Sequence, residues 1–193
     1  MKKILSLSLA LILGISMLLT AVSCAGRHPI EKFKNKMEEA DNYQMTITMS
    51  NVPLLGTFTM TTKIDGDIQY TPAGMFHDEE YTQTVGDVEY TYTKTEDGEW
   101  IKTQSAVEED TSDITNDETM NDLFNPENYE KVKGEENTYQ QKKDVQFDDF
   151  EDVVIIIDDN SCTLEMLSKE EGYSMKIVIS KIGEIELTLP SVE

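Results

Sequence analysis

Hydrophobic positions along the chain change their period twice. Ile4 to Val22 is an uncharged apolar run, preceded by Lys2 and Lys3, and its length of about 19 residues suits either a signal or a membrane anchor. From Arg27 to Ala40, Ile30, Phe33 and Met37 recur at i, i+3 and i+7 with Lys32, Lys34 and Lys36 between them, which predicts a short amphipathic helix. At Tyr43 the period falls to two. Tyr43, Met45, Ile47 and Met49 alternate with Gln44, Thr46, Thr48 and Ser50, the pattern of a strand with one buried face.

The two-residue period then runs on as a meander. Phe58, Met60, Thr62 and Ile64 lead through Asp65-Gly66 into Ile68 and Tyr70, a hairpin signal. Glu80 to Val85, a Gly86-Asp87 turn, Val88 to Tyr92, an Asp97-Gly98 turn and Trp100 to Lys102 predict three more strands. Thr103 to Glu130 contains no basic residue and nine acidic ones, so self-repulsion favours a solvated insertion over about 103–130. Within it, Ile114, Met120, Leu123 and Phe124 give a helix from about Ser112 one apolar edge, and Asn125-Pro126 stops it. Tyr129 to Gly134 and Asn137 to Lys143 read as a hairpin. Val145 to Ile157 is ambiguous, and its spacing predicts a short helical turn followed by a strand or extended segment. Ser161 to Leu167 pairs with Tyr173 to Ser180, and Ile185, Leu187 and Leu189 are expected to close the sheet.

Charge and cysteine count narrow the chemistry. The 193 residues carry a formal charge of −22, a surface that repels nucleic acid phosphate. Two cysteines and two histidines are too few for a disulfide framework, a multi-cysteine zinc site or an iron–sulfur cluster. Ala21-Val22-Ser23-Cys24 closes the apolar run with small residues before a cysteine, the arrangement of a bacterial lipobox. Residues 1–23 are thus expected to be a lipoprotein signal peptide and 24–193 a single domain, with Cys24 lipidated and two or three acyl chains making attachment stable. The basic stretch after it, Arg27, Lys32, Lys34 and Lys36 against Glu31, either meets anionic headgroups or solubilises the helix. Cys162 is left without an intramolecular partner, and its neighbours favour a small buried apolar residue over a reactive thiol.

Catalytic motifs are not evident. His77 stands in Phe76-His77-Asp78-Glu79-Glu80 with no nucleophile or glycine elbow in sequence, so a solvated loop histidine is the better reading. Neither GxxxxGK nor GxGxxG occurs, and the acidic run Asp144 to Asp159 lacks a calcium-loop spacing. No cofactor or metal is expected, and the chain points away from an enzyme. More informative are Met45, Met49, Met60, Met166 and Met175 with Tyr43, Phe58, Tyr90 and Tyr92, which alternation projects onto common sheet faces. Methionine suits adaptable apolar surfaces. These residues are either ordinary core or the lining of an apolar groove for acyl chains.

Three passages carry a family resemblance: Val52-Pro53-Leu54-Leu55-Gly56-Thr57 leading into Asp65-Gly66; Tyr90-Thr91-Tyr92 followed by Gly98-Glu99-Trp100-Ile101-Lys102; and Ile179-Ser180-Lys181-Ile182-Gly183-Glu184 with Leu187-Thr188-Leu189-Pro190. With the lipobox, their order resembles the LolA and LppX-like superfamily of envelope lipoproteins and lipoprotein carriers. The resemblance implies an α+β fold, a highly curved antiparallel half-barrel with an N-terminal helix and short helices packed on its concave side. It implies a non-enzymatic lipoprotein on the extracytoplasmic face of a bacterial membrane, binding a lipid or other lipophilic ligand. The alternative is an interaction lipoprotein with a packed core, contacting a partner protein or wall component through its acidic face.

Overall fold

The computed structural model describes residues 27–75, 78–106, 121–169 and 172–192. The signal segment, Cys24 and His77 lie outside them, as does most of the helix expected from Ser112. Among the described residues one α-helix, α1 (Pro29–Ala40), precedes the strands. Pro29 occupies its first turn, where the missing N–H costs nothing, and the His28 ring nitrogen accepts the Ile30 N–H at 3.3 Å. Asp41 ends the helix in the left-handed conformation, its N–H donating to the Met37 carbonyl at 3.1 Å. Ile30, Phe33 and Met37 are the buried face, as their spacing requires.

The strands are β1 (Asn42–Val52), β2 (Gly56–Asp65), β3 (Ile68–Thr71), β4 (Glu80–Val85), β5 (Val88–Lys94), β6 (Trp100–Ala106), β7 (Tyr129–Lys131), β8 (Thr138–Gln141), β9 (Phe150–Ile157), β10 (Cys162–Ser168) and β11 (Ser174–Ser180). They form one antiparallel sheet in the order β6-β5-β4-β3-β2-β1-β11-β10-β9-β8-β7. The first and last strands therefore meet in the middle, and β6 and β7 are the two edges. The sheet is open.

Its two halves are built differently. On β1 and β7 to β11, one face carries Met45, Ile179, Ile177, Met175, Cys162, Leu164, Met166, Ile155 and Val153, and α1 packs there with Leu123, Phe124 and Phe147 into one core. Phe33 stacks on Phe124, and the Tyr129 hydroxyl donates to the Leu123 carbonyl at 2.8 Å. Among the described residues the other half, β3 to β6, is a single layer. Of its strand residues only Tyr92 is buried.

This architecture corrects the α+β half-barrel expectation. The described residues form a mainly-β open sheet with one α-helix, a helical end at 121–123 and one 3-10 turn (Pro126–Asn128). The physical reason lies in register. Tyr43 pairs with Ile64, Ile64 with Gln69, Gln69 with Thr82, Thr82 with Thr91 and Thr91 with Thr103. Beyond β2, then, the face continuous with the helix side is mostly polar, and a helix laid on it would bury little apolar surface beyond Ile101.

Two local expectations are also corrected. Residues 184–192 form no strand, because β11 already has β1 and β10 on its two sides and the chain leaving it meets no open edge. Side chains at the base of the β1–β2 hairpin satisfy its backbone instead: Asn42 Oδ1 accepts from Ile185 N–H at 3.1 Å, and Asp65 Oδ2 from Leu187 N–H at 2.8 Å. The helical turn expected after Val145 is absent as well. There the Val145 carbonyl accepts from Gln141 Nε2 at 2.9 Å, and the Phe147 carbonyl accepts from Lys169 Nζ.

Candidate functional site

The apolar residues singled out from sequence do not converge on one surface. Phe58, Met49, Met175 and Met166 form a row across β2, β1, β11 and β10, since Met49 pairs with both Phe58 and Met175, and Met175 with Met166. Met45 lies on the same face opposite Ile179, and Met60 opposite Ile47. Met45, Met166 and Met175 are 5%, 4% and 4% exposed and sit within the core, whereas Met49, Met60 and Phe58 are half-buried. Tyr43 packs beside that core. Tyr90 and Tyr92 point from the opposite face, because Tyr92 pairs with Tyr81, Tyr81 with Tyr70, and Tyr70 with Lys63 on the far side of β2.

That opposite face holds the arrangement sequence reasoning missed. Lys63, Tyr70, Tyr81, Tyr92 and Lys102 stand at one register level on five successive strands, β2 to β6. Three tyrosines are bracketed by two lysines. The Tyr70 and Tyr81 ring centroids are 4.5 Å apart, and Trp100 meets Tyr81 edge-on at 5.4 Å. Lys63 lies 5.4 Å from the Tyr70 centroid, Lys94 5.5 Å from Trp100, and Lys102 4.0 and 5.1 Å from Tyr90 and Tyr92, all within cation–π range. The signal was present in the parity of Tyr90, Tyr92 and Lys94 along β5. Only the register between strands turns it into a surface.

Glu79 ties this face together. It accepts from Lys94 Nζ at 2.9 Å and from the Tyr70 hydroxyl at 3.1 Å. The Lys94 ammonium, with help from Tyr70 and against some desolvation, holds the Glu79 carboxyl below the usual carboxylate range. Tyr70 is pushed up by burial and by its bond to that carboxylate. On the helix side burial governs titration. Cys162 is fully buried, and desolvation, helped by Asp158, pushes its thiol up to about 12. A thiol so protonated is inert near neutral pH, as its apolar neighbours led one to expect. Burial likewise raises Tyr129 and, against the pull of Glu31, lowers His28.

Two lysines of the basic stretch of α1 are engaged by polar groups at the protein surface. Lys36 donates to the Asp159 carbonyl and Asn160 Oδ1, both at 2.8 Å, while Lys34 bonds Asn121 and pairs with Glu38 at 3.6 Å. Among the described residues no group of three His, Cys, Asp or Glu side chains is placed to hold a metal ion, and no helix is long and apolar enough to cross a membrane. Neither a protein-family model nor a curated protein sequence matches this chain.

Proposed function

We propose that the mature chain is a non-enzymatic lipoprotein, tethered through acylated Cys24 to the extracytoplasmic face of a bacterial membrane, that works as an interaction module. Attachment rests on the order of Lys2 and Lys3, the apolar run and Ala21-Val22-Ser23-Cys24. The interaction role rests on one structural observation. Strands β3 to β6 form a single layer with a threonine-rich face and a tyrosine–lysine face, neither packed against another described helix or strand. A sheet kept one layer thick presents both surfaces to partners, at the expense of a second core. The packed half, with Met45, Met166 and Met175 inside it, serves as its mount. Kinship with the LolA and LppX-like superfamily stays part of this proposal on its three sequence passages. The burial of those methionines favours an interaction role over carriage of a lipid.

Membrane fractionation tests the tether, and native mass spectrometry tests the role. Wild-type protein is expected in the membrane fraction at the mass of the chain from Cys24 plus its acyl groups, and Cys24→Ala in the soluble fraction. Retention of that variant after a salt wash refutes lipid attachment. A lipid that stays bound after detergent exchange refutes the packed mount and restores the carrier reading.

A further inference from the structure

The β1–β2 hairpin departs from the rest of the mature chain in composition, and its turn holds a leucine at positive φ. Charged residues make up 28% of the sequence, yet none occurs from Asn42 to Thr62. The hairpin reverses at Val52-Pro53-Leu54-Leu55, where the Leu55 N–H donates to the Val52 carbonyl at 3.2 Å and Leu54 has φ 69°. Proline second and a positive φ third define a type II turn, whose third place ordinarily goes to glycine or asparagine. A leucine there is strained. Its side chain recovers nothing inside the protein, for Leu54 is 105% exposed and Leu55 51%.

The turn also overhangs its neighbours. β11 pairs with β1 only as far as Ser174 opposite Ser50, and β3 pairs with β2 only from Lys63 onward. Val52 to Leu55 therefore project beyond both adjoining strands. Valine, proline and leucine side chains offer no charge or hydrogen bond by which to select a protein surface. A bilayer interface asks for neither, since it accepts apolar side chains and, where its headgroups are anionic, repels acidic ones. Anionic headgroups repel the acidic body that remains once Lys2 and Lys3 leave with the signal segment, but not an uncharged projection from it.

We propose that the Val52–Leu55 turn inserts into the interface of the membrane that carries the protein, a second contact that fixes the sheet's orientation. The inference rests on the lipoprotein reading above, which supplies the bilayer as a permanent neighbour. Leucine at the strained turn position is then explained by what it meets outside the chain.

The test uses full-length lipidated protein in vesicles of phosphatidylethanolamine and phosphatidylglycerol, with an environment-sensitive thiol dye at Thr57→Cys, beside the turn, or at Asp87→Cys, in the β4–β5 turn. Wild-type protein serves first as a control: Cys162 is buried, so dye uptake by wild type reports an unacylated Cys24 and counts against the tether alone. The dye at position 57 is expected to shift to the blue and to be quenched by acyl-brominated lipid, while the dye at 87 stays accessible to iodide. Adding Leu54→Ser and Leu55→Ser is expected to lower the inserted fraction at least about tenfold without loss of the circular dichroism spectrum. Equal iodide access at 57 and 87 overturns the proposal. So does protection of position 57 in the absence of vesicles with a dimer in light scattering, which makes a second copy the occupant. Leu54→Gly, which keeps the turn and relieves the backbone, is expected to raise the melting temperature while reducing insertion; unchanged insertion in that variant overturns a role for the leucine.

Discussion

Tyr81 is the residue on which the single-layered half of the sheet most depends. Its ring pairs with Tyr70 at 4.5 Å and with Trp100 at 5.4 Å, and it stands opposite Tyr92. Aromatic pairs contribute about 0.5–1.5 kcal/mol each beyond the area they cover, and among the described residues no second layer makes up for their loss. Truncation in Tyr81→Ala is therefore expected to cost about 2–3 kcal/mol, against about 0.5 kcal/mol for Thr82→Ala on the other face. Tyr81→Phe keeps both ring contacts and is expected to remain near wild type. Trp100 is the only tryptophan and touches the residue being changed, so its fluorescence follows unfolding where the loss is made. With a urea dependence of about 2 kcal/mol per molar, the midpoint read by Trp100 should fall by roughly 1 M. An unchanged midpoint for Tyr81→Ala, or an equal fall for Thr82→Ala, refutes the claim that this face holds the layer together.

Other consequences follow from the packed half. Met175→Asp places a carboxylate among Met49, Met166 and Ile177, at a site 4% exposed, and is expected to cost several kcal/mol, whereas half-buried Met60→Asp melts closer to wild type; calorimetry compares them. Asn42→Ala removes the acceptor for Ile185 N–H, with an expected loss of about 1 kcal/mol and faster amide exchange at Ile185. The Cys162 thiol is raised to about 12, so the folded state retains a proton that the unfolded chain releases at its ordinary, lower pKa. Stability should therefore fall as pH rises from that ordinary value of 9.0 toward about 12. Cys162→Ala should flatten that slope in urea titrations, and native Cys162 should resist alkylation until the chain unfolds.

Much of the local structure was legible without a fold. Ile30, Phe33 and Met37 mark the buried face of α1, and Asp65-Gly66, Gly86-Asp87 and Asp97-Gly98 punctuate strands where the structure has turns, because these signals act over a few residues. The same local reasoning misplaced the C-terminal segment. Ile185, Leu187 and Leu189 alternate like a strand, but whether an alternating segment finds an edge depends on neighbours far away in sequence, and β1 already occupies the position beside β11.

The structure separates the methionines from Tyr90 and Tyr92 for a related reason. Alternation within a strand fixes which residues share a face of that strand; it carries no information on how that face matches the next strand's. Met45 and Tyr92 each alternate correctly, yet the register through Lys63, Tyr70 and Tyr81 puts them on opposite sides of one sheet. Side-chain parity, turn positions and the amphipathic helix were thus set by the sequence by itself, since each depends on residues a few positions apart. Which strands adjoin, which face α1 covers and where the apolar side gives way to threonine were decided by the tertiary structure, because each depends on pairing between strands separated by as much as Asn42 and Ser180.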